Sequence, residues 1–351
     1  MSAEWNDNTR AIDDTTPKSQ PHLSYLTRIV HKLYPPPRPL YGPCSLSGTG
    51  NEPKGIASLL YKAFPPNLQT DVPWYSPSIA TKLKASGQLY SSYTGLEGTD
   101  LVRHVQTIRD RAWAIAPYPC IGRGWFLLPG LSGLKIWAEV VETAKEGKTV
   151  LDLGCGLGQD LRRLRAEVGA AAKLYAIDAR KEMWELGCEL FCDGKEPVAK
   201  FLCADARIRH PDNSNASLGD GGWLNEIRGS IDVVIMSQVL DLFFWSEQIA
   251  IGRTIVELSN VGTKVVGCTF GTVQGSAGEH KSEGDLGFSR MYHDDRSFGT
   301  LWLDIGKATA TTWKVEAELV ELEEWGFDED DIAWMTEPIP RGLNFVVIRE
   351  S

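Results

Sequence analysis

The sequence predicts an α/β fold, a mostly parallel sheet ending in a late antiparallel strand pair, with a mainly helical N-terminal cap in front of it. Three observations predict it. Short apolar runs alternate with helical periodicity from residue 148 onward, a glycine-rich turn follows the first run, and nothing before 148 alternates in this way. The expected division is 1–147 for an N-terminal arm and cap, and 148–351 for the sheet domain.

Residues 1–20 are polar and aperiodic, which predicts a frayed arm. Leu23, Leu26, Ile29, Val30 and Leu33 form a short helical stripe that stops at three consecutive prolines, 35–37. The prolines, glycines and serines of 35–55 read as an extended wrap, either a linker or an arm that covers a pocket. Leu101, Val102, Val105, Ile108, Ala112 and Ile115 predict an amphipathic helix over 98–115, broken by the stiff aromatic turn 117–122. A further helix is expected over 131–144. Strands at 149–153, 173–177, 199–203, 231–236 and 263–270 then alternate with helices at 159–167, 181–192, 223–228 and 246–259. A helix at 297–309 and strands at 313–319 and 343–349 close the chain. The insertion 212–222 and the acidic run 328–331 read as solvated loops. The stretch 271–296, rich in Gly, Ser, His and Asp, is long enough to be a functional loop.

With 36 basic and 46 acidic residues the formal charge is −10, the wrong sign for holding a polyanion by counterion release. Nucleic acid is therefore not an expected partner. No apolar run approaches 18 residues and the N-terminus lacks a basic region leading into one, so neither a membrane span nor a secretory signal is expected. Seven cysteines, an odd number, fit reduced thiols in a cytoplasmic protein. Cys188 and Cys192 stand one helical turn apart with no second pair, so no metal is expected.

The chemistry is concentrated at 150–160, VLDLGCGLGQD. A buried strand carrying Asp152 ends in Gly154, Cys155, Gly156 and Gly158 and turns directly into a helix, where glycines permit a sharp bend and the helix start offers unpaired N–H donors. The Lys-Ser/Thr of a phosphate loop is absent, and Gln159 stands where a dinucleotide fingerprint needs its third glycine. Asp178, Asp205 and Ser237 each stand at the end of a later strand. Any one such residue also reads as a helix N-cap; the ordered set is more specific.

This spacing resembles the first motif of S-adenosylmethionine-dependent methyltransferases of the Rossmann-like class I fold. Stretches outside that fold, 73–77 (PWYSP), 104–122, 293–302 (HDDRSFGTLW) and 313–317 (WKVEA), are similar to fungal secondary-metabolism enzymes that methylate carboxyl groups of meroterpenoid intermediates. The resemblance implies S-adenosyl-L-methionine as cofactor. Its amino-acid end would lie on Asp152, Gly154, Cys155 and Gly156, its ribose on Asp178 beside Ala179, and its adenine on Asp205 between Ala204 and Ala206. Ser237 and Gln238 would face it from the fourth strand, and Tyr118 from the cap, although core packing is an equal reading of Tyr118.

The expected acceptor is a small hydrophobic acid or a related small molecule, and the sequence leaves open whether the chain is a monomer or a homodimer. A carboxylate with a pKa near ~4 is already ionised and needs no base, whereas a phenol near ~10 does. His293, on the long loop, is the candidate catalytic residue, either a base or a hydrogen-bond donor to the acceptor, with a local turn histidine as its plainer reading. Arg109, Arg111, Arg123 and Arg290 are available to pair a substrate carboxylate. Methylation of a phenol, nitrogen or carbon, or cofactor binding without methyl transfer for cyclisation or regulation, are the competing readings.

Overall fold

The computed structural model describes residues 70–194, 196–207, 222–273, 278–281, 289–335 and 340–351. The expected arm, the 23–33 stripe, the proline-rich wrap and all but the last residue of the 212–222 insertion lie outside these. The described residues fall within one compact unit, Pro43–Ser351.

The N-terminal region is helical: α1 (Ala80–Thr94), α2 (Gly98–Ile115), the single turn α3 (Pro119–Gly122) and α4 (Trp137–Lys145). Helix α1 is not foreseen by periodicity. Its buried positions are Lys82, Leu83, Ser86 and Tyr90, so half of the stripe is polar and invisible to a hydrophobic count. Helix α2 matches its expected span and ends at Ala116, whose extended backbone is what a following proline imposes. The helix expected over 131–144 is two pieces, a 3-10 turn at Gly130–Gly133 and then α4.

The second half supplies β1 (Thr149–Leu153), β2 (Lys173–Asp178), β3 (Lys200–Cys203), β4 (Ile231–Ser237), β5 (Ser259–Gly271), the hairpin β6 (Gly278–Lys281) and β7 (Ser289–Tyr292), then β8 (Trp313–Val320) and β9 (Arg341–Arg349). Between them lie α5 (Gln159–Val168), α6 (Lys181–Leu190), α7 (Gly222–Ile227), α8 (Trp245–Leu258), α9 (Asp295–Thr309) and α10 (Glu329–Ile332). Seven strands form one sheet in the order β3-β2-β1-β4-β5-β9-β8. The first five pair in parallel, and β9 runs antiparallel to both β5 and β8. This is the expected mostly parallel sheet with a late antiparallel pair.

Alternate strand residues feed two cores, as the period-2 geometry of a strand requires. Val150, Ala176, Val233 and Ile235 pack against α4, α5 and α6. Leu151, Ile177, Val234 and Met236 pack with α8 and α9 on the other face. Because both faces are covered, β1 is buried throughout and reads as a continuous run rather than an alternation. Strand order reverses between β1 and β4, which opens a crevice at their carboxyl ends.

The cap closes over that end. Leu101, Val105, Ile108 and Trp113 share a core with Leu157 of the glycine turn and with Met183, Leu186 and Leu190 of α6. A second clamp takes one residue of the acidic run, Asp331, out of solvent, while Asp328, Glu329 and Asp330 are exposed as expected. Asp331 is fully buried and accepts hydrogen bonds from Lys82 Nζ at 2.5 Å, Trp125 Nε1 at 2.8 Å and Arg123 Nε at 3.2 Å. The stretch 271–296 is likewise not all loop, since it contains the β6–β7 hairpin. Among the described residues no helix is long and apolar enough to cross a membrane.

Candidate active site

The turn after β1 holds Gly154 at φ +85° and Gly156 at φ +53°, both in the left-handed region. They need to be glycine for different reasons. A Cβ on Gly154 would lie 2.5 Å from Val239 Cγ2, so packing forbids it. A Cβ on Gly156 would meet nothing within 4 Å. The fold leaves that space open, and a ligand can approach the backbone there.

Asp178 ends β2 and is tied to the same turn. Its Oδ2 accepts the Gly156 N–H and its Oδ1 the Arg180 N–H, both at 2.8 Å. Burial pushes its pKa up, and the two N–H bonds restrain the rise. Each oxygen keeps a lone pair for a further donor such as a ribose hydroxyl. Ala179 follows it, with its carbonyl facing the Cys203 thiol at 3.6 Å, and Ala204 N–H bonds the Asp178 carbonyl at 3.0 Å.

Two more carboxylates share this end of the sheet. Asp152 is buried and held well above the usual carboxylate range by burial, then by the charges of Asp160 and Asp178. Asp160, in the first turn of α5, is pushed up to about 6 by burial, against the pull of Arg163 and Ser237. Sequence reasoning gave Asp160 no role; its place eight residues after Asp152, just inside the helix start, is the only local signal. Three carboxylates kept costly to ionise favour a cation among them.

Cys155 is buried beside them, and burial followed by Asp152 keeps its thiol protonated. It packs in the core with Leu161 and Trp184. On β4, Ser237 lies close enough to Asp160 and Cys268 to lower the pKa of both, yet its buried Oγ has no partner in hydrogen-bond geometry. Gln238 has φ +55°, rare for a side-chain-bearing residue, and its N–H bonds the Cys268 carbonyl at 2.6 Å. Strain of this kind collects at functional turns.

Asp205 differs from the picture the motif suggests. Arg207 grips it through its backbone N–H at 2.8 Å, Nε at 2.9 Å and Nη2 at 2.5 Å, and this guanidinium hydrogen bond is the main cause of its lowered pKa. Arg207 Nη1 continues to Glu247 on α8. Ala206 is buried, and its carbonyl accepts from Thr254 Oγ1 at 2.9 Å. An adenine amino group would have to compete with the arginine for Asp205.

Tyr118 precedes α3, and its carbonyl accepts the Ile121 and Gly122 N–H groups at 3.0 and 2.9 Å. Its side chain is half-buried against the cap core.

His293 is fully buried between α8 and α9. Its Nε2 lies 2.8 Å from Gln248 Oε1 and its Nδ1 3.2 Å from Ser297 Oγ. Gln248 Nε2 donates to the Leu240 and Phe243 carbonyls, so its Oε1 is an acceptor and His293 Nε2 carries the proton. Burial lowers the pKa of His293 to about 4. Its backbone carbonyl accepts the Thr272 N–H at 2.9 Å, pinning the chain after β7 to the end of β5. Both ring nitrogens face partners within the protein, the arrangement of the local turn histidine that is the plainer expectation.

Three of the arginines proposed for a substrate carboxylate have partners within the protein, although Arg109 Nη2 is buried with no acceptor among the described residues. Arg109 is buried, stacks 4.3 Å over Tyr75 and donates to the Ser76 and Gly122 carbonyls. Arg111 pairs with Glu189 on α6, and Arg123 with Asp331. The side chain of Arg290 lies outside the described residues.

Residues 74–127 match the family model described as the meroterpenoid methyltransferase N-terminal domain, and residues 150–262 match a methyltransferase domain. "O-methyltransferase phiE" of a fungal species is 30% identical over 259 residues, 73% of this chain and 82% of that protein. "O-methyltransferase atr3" of Stereocaulon alpinum is 30% identical over 306 residues, 86% of this chain and 82% of its own. "Methyltransferase trt5" of Aspergillus terreus is 27% identical over 279 residues, 76% and 92% of the two chains. Among solved structures, the plantazolicin methyltransferase BamL in complex with a substrate analogue and SAH aligns at TM-score 0.41 and 15% identity, covering 73% of this chain and 100% of that one.

Proposed function

Since the chain belongs to the S-adenosylmethionine-dependent methyltransferases of fungal secondary metabolism, we propose that it methylates a carboxylate oxygen of a terpenoid or meroterpenoid acid. The observation that carries this reading is His293, the expected base, which is buried with Nε2 on Gln248 Oε1 and Nδ1 3.2 Å from Ser297 Oγ. An acceptor that arrives already ionised suits such a site, and a carboxylate does so at neutral pH. Two relatives bearing the name O-methyltransferase support the choice of oxygen.

The residues at the β1 turn fit the cofactor. The open space at Gly156, the Asp178 carboxylate and the unpartnered Ser237 hydroxyl are what an adenosyl amino acid would complete. When bound, S-adenosylmethionine supplies an electrophilic methyl group on a sulfonium. Asp152, Asp160 and Asp178 favour positive charge at their end of the crevice. Asp178 orients the ribose, and the Gly156 N–H keeps Asp178 in register with the turn. The cap aromatics exclude water, so the residues contribute positioning and desolvation. His293 holds the wall of the acceptor side rather than moving a proton.

The test incubates the enzyme with S-adenosylmethionine and matched panels of hydrophobic acids and phenols, and reads products by mass. Methyl esters of acids support the proposal. Conversion of phenols with no acid converted would overturn it.

A further inference from the structure

Arg163 is a polar group at this site that the motifs do not use and the fold does not satisfy. It stands on α5, just after the glycine turn. Helical side chains lean toward the N-terminus of their helix, so its stem carries the guanidinium back toward Asp160, three residues earlier on the same face. The charge of Arg163 is felt at Asp160 and at Tyr90 of α1. These two neighbours put it at the seam between the sheet domain and the cap. Gly130 of the cap closes the same seam, with its Cβ position 3.3 Å from Asp160 Oδ1. Yet Arg163 Nε and Nη2 are buried and find no acceptor among the described residues.

Arg162, next to it in sequence, shows what a structural arginine looks like here. It bonds both oxygens of Asp193 and the Leu157 and Gly158 carbonyls, and packs over Trp184 and Phe191. The fold consumes its donors. Those of Arg163 remain open, and a planar guanidinium edge with two N–H groups matches a carboxylate in bidentate geometry.

We propose that Arg163 is a carboxylate anchor, its Nε–Nη2 edge receiving the carboxylate of a ligand lodged between the glycine turn and the cap. This rests on the methyltransferase reading. Two ligands of that reaction carry the group, the amino-acid end of the cofactor and the acid acceptor. The position beside the glycine turn favours the cofactor.

Calorimetry on the full chain separates these cases, using S-adenosylhomocysteine and 5′-methylthioadenosine, which shares the adenosine and sulfur but lacks the amino acid. In Arg163→Met, affinity for S-adenosylhomocysteine should fall roughly 10- to 100-fold, with methylthioadenosine binding unchanged. Arg163→Lys, keeping charge without the planar edge, should recover part of the loss. Unchanged S-adenosylhomocysteine binding with KM for an acid acceptor raised by a similar factor would support the anchor and assign it to the acceptor. If both are unchanged, the proposal is overturned. Should Arg163→Met not fold, Arg163→Lys carries the same comparison. A wild-type protein that binds neither nucleoside overturns the methyltransferase reading itself, which keeps the two failures distinct.

Discussion

The crevice at the β1 turn and the clamp around Asp331 are both built from buried charge, but they are finished differently. At Asp331 the carboxylate is met by Lys82, Arg123 and Trp125, all within the protein. At the β1 turn Asp152 and Asp160 stay above their usual pKa, and among the described residues the Ser237 hydroxyl and two Arg163 donors have no partner in hydrogen-bond geometry. His293 belongs with the closed kind, since Gln248 and Ser297 complete it. Buried polar groups that the chain satisfies hold the cap and the acceptor wall in place. Among those left unsatisfied, Ser237 and Arg163 both belong to the crevice end of the sheet, where a ligand would complete them.

Breaking the closed region should cost most stability. Asp331→Ala leaves the buried Trp125 N–H without its acceptor, takes the carboxylate from Arg123 and leaves Lys82 with Asp328 alone, and a loss of about 3 kcal/mol is expected by denaturant unfolding. The molecules that remain folded should bind S-adenosylhomocysteine as before. Equal loss of affinity and stability would erase the distinction between the regions.

Breaking the open region should cost binding instead. Asp178→Ala removes the only carboxylate bonded to the Gly156 N–H, and affinity for S-adenosylhomocysteine should fall about 100-fold in calorimetry, the scale of one or two charged hydrogen bonds. Gly156→Ala forces a side chain into a left-handed backbone and into the open space. About 1 kcal/mol of stability and about tenfold in affinity should go.

The pH dependence sharpens the contrast further. Asp160 titrates near 6 in the folded chain, above its ordinary 3.8, so its contribution to stability grows as pH falls through 6 toward 4. Cofactor affinity should move the other way and weaken below about pH 6, because the cation loses its anion; Asp160→Asn should flatten that slope in calorimetric titrations. His293, lowered from 6.5 to about 4, contributes stability that is full above 6.5 and is lost as pH falls toward 4. His293→Gln should flatten that second slope in thermal unfolding, while kcat at neutral pH changes the least of all, within about threefold. A loss of kcat near a hundredfold with folding intact would restore His293 as a base.

What the sequence discloses follows the same division. The glycine turn, Asp178 and the strand alternation are legible because they depend on neighbours close in the chain and on the periods 2 and 3.6. Helix α1 is hidden because Lys82 and Ser86 occupy its inner face, and Lys82 makes sense only with Asp328 and Asp331, 246 and 249 residues away. Asp331 looks as solvated as the rest of its acidic run until that lysine arrives. His293 invites a catalytic reading from its loop, and its contact with Gln248, 45 residues earlier on α8, is not visible in the local sequence. Arg163 looks like any charged residue of an amphipathic helix, and only the absence of an acceptor in the folded chain sets it apart from Arg162.

The most direct test is amide hydrogen exchange of the full chain with and without S-adenosylhomocysteine. The account predicts new protection at 154–160, at 178–180 and at 237–238, with little change around 293–297 and 328–332. Protection confined to 293–297 or 328–332, with the glycine turn unchanged, would contradict it.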